Sequence, residues 1–482
     1  MSGYPEKRGE ASVSAGGDLA FAGAAQLSTF LQEGKVTPRE LVELYLARIE
    51  RLDPRLGAFV SVRAHAALAE ADAALGRLRA GESGPLLGVP VVVKDNVDIA
   101  GEVTGHGTAA NETPAASDAE VVARLRACGA PILGKTTMPE LALWAQMTES
   151  RTHGPTRNPW NTERAPGGSS GGTAVAVAAG LAPVGLGSDG GASIRVPSAL
   201  CGVFGLKPTR GRISTLPDPE HWHGLSVFGG IGRSVLDVAL FDDATRGPAP
   251  GDAHTPPEPV MSFADAAQRE PERLRVVVSL KGTLPGIKVD AAARRAVQET
   301  VELLRSLGHE VAERDANYGM LLPDIMPLYL AGVADDEAKL EHPERLEPRT
   351  RQMAAIGRRL RGRALRRGVH RQSIVAGRID AIFAHHDVLL MPVSAAQPET
   401  VGKWQGKGPA RTFYGSSPYV TYTAVWNYLG QPAAAVPAGF DEEGMPTSVQ
   451  LAAPSGGETT LLSLAGQLQR ARPWADRRPP TF

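Results

Sequence analysis

Four side chains in this sequence could carry acyl-transfer chemistry, three of them serines among small residues and the fourth a lysine at the end of a β-branched run. Ser193 follows Gly190-Gly191-Ala192, Ser169 and Ser170 lie within Gly167-Gly-Ser-Ser-Gly-Gly172, and Lys94 ends the run Val91-Val-Val93. Attack on a carboxyl-derived carbonyl needs a nucleophile, a route for its proton, and donors for the oxyanion that develops. Ser193 suits the first role, because the small residues before it leave the N–H groups of Gly190, Gly191 and Ala192 free to point at a carbonyl oxygen. A serine hydroxyl is a weak nucleophile at neutral pH and needs an adjacent base. No histidine lies in these motifs. The base must therefore come from elsewhere; Lys94 follows three valines, a place that suits burial, and burial lowers a lysine pKa from about 10.4 toward neutrality. Asp95 would oppose that shift if it faced the amine, so its carboxylate is expected to point elsewhere. Asp189 and Arg195 flank the nucleophile and are expected to hold its loop by a buried ion pair.

Together with Gly88-Val-Pro-Val-Val-Val-Lys94-Asp-Asn96 and Gly205-Leu-Lys-Pro-Thr209, these runs resemble the amidase signature family of serine hydrolases. The resemblance extends from about Ala24 to Trp474 and is densest from Gly88 to Asp237. It implies an α/β fold, a single-domain mixed β-sheet flanked by helices, and hydrolysis of linear or cyclic amides without metal or cofactor. Esters, anilides and carbamates are further substrates of such machinery. The catalytic set it implies is Lys94, Ser169 and Ser193. Ser169, in a cis peptide conformation, would relay a proton from Ser193 to neutral Lys94, while Ser170 steadies the lysine. One departure stands out. The family commonly has a bulky or hydroxylated residue and two glycines before the nucleophile, where this chain has Gly190, Gly191 and Ala192. Gly190 is similar to the branch containing cyclic-amide and nylon-oligomer hydrolases, and backbone N–H donors survive the changes.

Two other motifs compete for the same residues. Gly167-Gly-Ser-Ser-Gly171 matches the G-x-S-x-G elbow, which requires a strand before it, and Arg157 to Pro166 is loop chemistry. Gly185-Leu-Gly-Ser-Asp-Gly190 matches a dinucleotide fingerprint, which wants an acidic residue about 20 positions on. The first acid after Asp189 is Asp218, in a Pro-rich loop. An oxidoreductase is therefore disfavoured. Within the resemblance, the alternative is the glutamine-amidase component of a tRNA-dependent amidotransferase. Nine arginines and no acid between Arg349 and Arg371 invite an RNA reading, but six acids between Asp335 and Glu347 favour two helices with opposite solvated faces.

Composition bounds the rest. A chain of 482 residues, 42% hydrophobic, can bury a large core, and a formal net charge of −1 supplies no field for nucleic acid or membrane. Cys128 and Cys201 are too few for a disulfide framework and read as packing residues. Thr173 to Gly187 is broken by Gly180 and Pro183 and does not read as a membrane span. The expectation is a cytoplasmic protein that can form a homodimer, whose partner is a small-molecule amide substrate, with no nucleic acid or membrane partner.

The elements that must position the site follow from local signals. Residues 1–18 read as a disordered lead and 19–482 as the amidase domain, with a variable, substrate-shaping region near 250–430. Thr37-Pro-Arg-Glu40 is a capping box with Pro at the first helical position, and Ser234-Val-Leu-Asp237 repeats it with Asp for Glu. Asp118 is expected to cap a helix to Cys128, and Arg246 to Arg269 to form a surface linker. Strands are expected at 58–62, 89–93, 131–133, 274–278, 310–312, 388–391, 433–437 and 447–451, alternating with helices. Six of 25 aromatics fall between Phe413 and Tyr428. A helix starting at Ser417-Pro418 would put Tyr419, Tyr422 and Trp426 on one face, with Trp426 in the core. Phe413 and Tyr414, in a polar loop before it, are expected to wall the substrate site with Trp144 and Trp222.

Overall fold

The computed structural model describes residues 19–480, so the lead expected over 1–18 lies outside the described residues. Both capping boxes form. Thr37 Oγ1 accepts the Glu40 N–H at 3.2 Å and Glu40 Oε2 accepts the Thr37 N–H at 2.8 Å, opening the helix Pro38–Leu56. Ser234 and Asp237 exchange bonds of 3.1 and 2.9 Å at the start of Val235–Thr245. Asp237 also accepts the Ala25 N–H at 3.0 Å, which fastens the helix Ala24–Gln32 against it.

The strands are β1 (Phe59–Val62), β2 (Val91–Lys94), β3 (Ile132–Thr136), β4 (Glu149–Ser150), β5 (Gly154–Pro155), β6 (Val184–Asp189), β7 (Phe204–Lys207), β8 (Val227–Gly232), β9 (Arg275–Val278), β10 (Glu310–Glu313), β11 (Val388–Pro392), β12 (Ala433–Phe440) and β13 (Pro446–Ala452). Apart from the β4–β5 hairpin they form one mixed sheet of eleven strands, in the order β1-β3-β2-β6-β8-β7-β12-β13-β11-β9-β10. β2 runs parallel to both β3 and β6. Lys94 and Asp189 therefore emerge at the same, carboxyl end of the sheet, where open α/β sheets place their ligands. The 250–430 region adds β9, β10 and β11 to this sheet. It also supplies the helices Leu322–Glu337, Pro348–Leu360 and Arg363–Phe383, whose apolar side chains cluster with Trp144, Trp222 and Trp426. No helix among the described residues is long and apolar enough to cross a membrane.

The structure corrects three local expectations. Asp118 does not cap the helix Glu120–Ala127, whose first flanking residue is Ala119. Its carboxylate instead accepts the Ala100 N–H at 2.8 Å and pairs with Arg126 at 2.7 Å. The stretch 246–269 is not all linker, because Ser262 caps a short helix, Phe263–Gln268, whose Phe263 is fully buried. Aromatic burial outweighs the Pro-rich composition upstream. Phe413 and Tyr414 lie in a helix, Pro409–Val420, which starts at Gly408-Pro409 rather than at Ser417-Pro418. Pro418 is tolerated near its C-terminal end because the carbonyl it leaves unbonded belongs to Tyr414, on the solvent face. Tyr419, Tyr422 and Trp426 are buried as expected.

If Phe263 anchors the 246–269 segment, Phe263→Ala should lower stability by about 3–5 kcal/mol in urea unfolding. A loss below about 1 kcal/mol would return the segment to a surface linker.

Candidate active site

Strand β2 delivers Lys94 into a fully buried position. Its Nζ lies 2.7 Å from Ser169 Oγ, 2.8 Å from Ser188 Oγ and 3.5 Å from Ser188 O. A neutral amine has two N–H donors and one lone pair, and this geometry uses all three: Ser188 can accept, and the Ser169 hydroxyl can donate. Ser169 follows a cis peptide bond from Gly168. A Cβ at Gly168 would lie 2.2 Å from Met147 O, so only glycine fits before Ser169. Ser170 makes no hydrogen bond to Lys94. Its Oγ accepts the Ser188 N–H at 3.3 Å and donates to Ser188 O at 3.1 Å, bracing the residue that does. Asn96 Nδ2 adds a bond of 3.1 Å to Ser188 Oγ. Sequence reading missed Ser188, although a hydroxyl at the carboxyl end of a glycine-rich strand was a signal.

Burial lowers the Lys94 pKa to about 7, against the opposing pull of the Asp189 carboxylate. Asp95, next in the chain, points away. It lies 3.3 Å from buried Lys135 and accepts the N–H groups of Gly105 and Gly107 at 3.2 and 2.9 Å.

Ser193 stands on the turn between β6 and the helix Arg195–Cys201, lining a cavity at the sheet's carboxyl end. Its carbonyl accepts the Ser170 N–H at 3.1 Å, which joins the two serine loops. Of the three expected oxyanion donors, Gly191 gives its N–H to Asp189 Oδ1 at 3.1 Å. Gly190, Ala192 and Ser193 itself have N–H groups with no acceptor among the described residues. The Asp189–Arg195 pair is fully buried, with Nε–Oδ2 and Nη2–Oδ1 both 3.0 Å. Burial alone would raise the Asp189 pKa, but the guanidinium holds it well below the usual carboxylate range. Arg195 also donates to Thr423 O at 2.9 Å, Gln450 Oε1 at 2.9 Å and Asn427 Oδ1 at 2.6 Å. Asn427 and Gln450 come from the far end of the chain, and no local pattern marked them.

The same arrangement of chain is found in known proteins. The amidase family model matches residues 40–462. The chain belongs to the amidase family. AmiB2 of Mycobacterium tuberculosis is 49% identical over 464 residues, 96% of this chain and 98% of that one. The structure of 6-aminohexanoate cyclic dimer hydrolase matches with a TM-score of 0.89 at 31% identity, covering 96% of this chain and 99% of the other. A glutamyl-tRNA(Gln) amidotransferase chain from Deinococcus radiodurans is 36% identical over 491 residues, 93% of this chain and 97% of that one. The reaction class of this amidase-family chain is hydrolysis of a carboxylic C–N bond.

Three of the four residues expected to wall the substrate site do line the cavity: Trp144, Trp222 and Phe413. Tyr414 does not, being 74% exposed on the opposite face of the helix Pro409–Val420. The helical turn that brings Phe413 inward rotates its neighbour out by about 100°.

The ion pair generates a test. Asp189→Asn leaves the Arg195 charge buried without its counter-ion, so stability should fall by about 3–5 kcal/mol. A fall of about 1 kcal/mol or less, as for an exposed pair, would mean that other contacts hold the loop.

Proposed function

We propose that the protein is a stand-alone amidase that forms an acyl-enzyme on Ser193, with Ser169 and Lys94 moving the proton. The observation that carries this reading is the contact of 2.7 Å between Lys94 Nζ and Ser169 Oγ in a fully buried site. Ser193 Oγ has no hydrogen-bond partner among the described residues, so it is free to turn toward Ser169. Catalytic hydrogen bonds are often completed only when substrate is bound. As Ser193 attacks, its proton passes to Ser169 Oγ and that of Ser169 to Lys94. The N–H groups of Gly190, Ala192 and Ser193 meet the oxyanion. Proton return along the same path lets the amine leave, and water repeats the sequence to release the acid.

A single chain supplies each of these groups, which supports action without a partner protein. Five of the nine arginines between 349 and 371 pair with acids of the same chain: Arg349 with Glu347 at 2.7 Å, Arg371 and Arg367 with Asp324 at 2.7 and 3.6 Å, Arg358 with Glu337 and Arg361 with Asp335. That pairing favours a folded surface over a tRNA contact.

Ser193→Ala should abolish turnover and leave the melting temperature within a few degrees, and a fluorophosphonate should label Ser193. Label on Ser169 or Ser170 would reassign the nucleophile. Because the neutral amine is the base, kcat/KM should rise as pH passes through about 7. Lys94→Ala should lose about 10²–10⁴-fold in amide hydrolysis and less with activated esters, whose leaving groups need less protonation. Near-normal amidase activity in that variant would sink the relay. The isolated chain should hydrolyse an aryl amide with no added protein, ATP or tRNA. Activity only with glutamine and a partner protein would instead make it an amidotransferase component.

A further inference from the structure

The cavity beside Ser193 has no charged side chain in its lining. Its walls are set by Trp144, Trp222, Leu321, Ile325, Tyr329 and Phe413, with Ser416, Ser417 and Thr283 as polar points. An ionised substituent brought there would lose water and find no counter-charge, which costs several kcal/mol, whereas alkyl and aryl groups gain from burial.

One wall is built differently from the rest. Trp222 lies in a turn where three residues in succession take left-handed backbone: φ is 53° at Trp222, 55° at His223 and 78° at Gly224. Bulky residues hold such strained angles only where their surroundings enforce it. The enforcement comes from the helix Leu322–Glu337. Asp336 Oδ2 accepts the Trp222 indole N–H at 2.7 Å, and Asp336 Oδ1 lies 3.0 Å from His221 Nε2. Burial works against the charge on Asp336, but His221 holds its pKa down at about 2, so it remains a carboxylate acceptor. The indole then fills room that two glycines leave open. A Cβ at Gly190 would sit 2.8 Å from Trp222 Cε3, and one at Gly332 would sit 2.5 Å from Trp222 Cγ. Tyr329 meets the ring edge-on, with centroids 4.9 Å apart at 79°.

We propose that Trp222, pinned from behind by Asp336, is the specificity-determining wall of a site for uncharged, apolar amides. Trp222 stands where the oxyanion loop would otherwise carry a side chain of its own, and so limits how bulky a group can lie beside Gly190. Asp336 is a positioning residue, acting through the indole. This deepens the amidase reading above and rests on it.

Binding separates the two. Acetanilide, the decanoyl anilide and glutamine are titrated into Ser193→Ala protein, where affinity reports the wall whatever the nucleophile proves to be. Turnover by the intact enzyme tests the amidase reading. The anilides should bind at least about 10²-fold tighter than glutamine. Trp222→Ala should raise the decanoyl-to-acetyl affinity ratio about tenfold, and Trp222→Phe, which keeps a ring but loses the N–H to Asp336, should move it the same way by less. In the intact enzyme, Gly190→Ser should collapse kcat/KM by colliding with the indole, and adding Trp222→Ala should restore it at least tenfold. Glutamine binding as well as the anilides would overturn the substrate class. An unchanged affinity ratio in both tryptophan variants, or no rescue of Gly190→Ser, would reduce Trp222 to a packing residue.

Discussion

Asp189 and Arg195 meet wholly out of water, and three distant parts of the chain take their orientation from that contact. Removing two charges from solvent is costly, and mutual attraction offsets the cost only when the remaining donors and acceptors are also satisfied. Here they are. The five N–H groups of the guanidinium reach Asp189 twice, Thr423 O, Gln450 Oε1 and Asn427 Oδ1. The carboxylate in turn accepts from the backbone of Gly191 and Ile194 and from Asn427 Nδ2. The end of β6, the turn bearing Ser193, the segment around 423–427 and strand β13 are thus tied to one point. The N–H groups left over at Gly190, Ala192 and Ser193 are those that the pair does not consume.

The same pair sets the terms for Lys94. Asp189 is the acid that works to keep the lysine protonated, and burial works the other way. Burial is the larger of the two effects. Asp95, in the turn just after β2, is kept out of the balance by its contact with Lys135. Two adjacent ionisable residues at a strand end can therefore present a buried amine of lowered pKa on one side and a closed ion pair on the other.

What the sequence made legible follows from the range of the interactions. Capping boxes, strand runs and the glycine-framed serines depend on neighbours a few residues away, and they appear where local chemistry puts them. The meeting of Lys94 with Ser169 follows from resemblance, since nothing local says that residues 75 apart meet. Ser188, Asn427, Gln450 and Asp336 escaped notice because each acts through a partner far along the chain. Tyr414 was misplaced for the opposite reason: composition suggested a loop, and a helix start at Gly408-Pro409 set its direction instead.

Gly190 shows how a local oddity can have a distant cause. In the sequence it is a missing side chain in an otherwise recognisable loop. In the fold its place is taken by Trp222, which also needs Gly332 to be small and Asp336 to hold its nitrogen. Four residues from three segments therefore form one unit, and a side chain at 190 is compatible only with a smaller residue at 222. If Trp222 is the substrate wall and Gly190 an oxyanion donor, as proposed, the two share a surface, and selectivity and catalytic geometry at this site must change together.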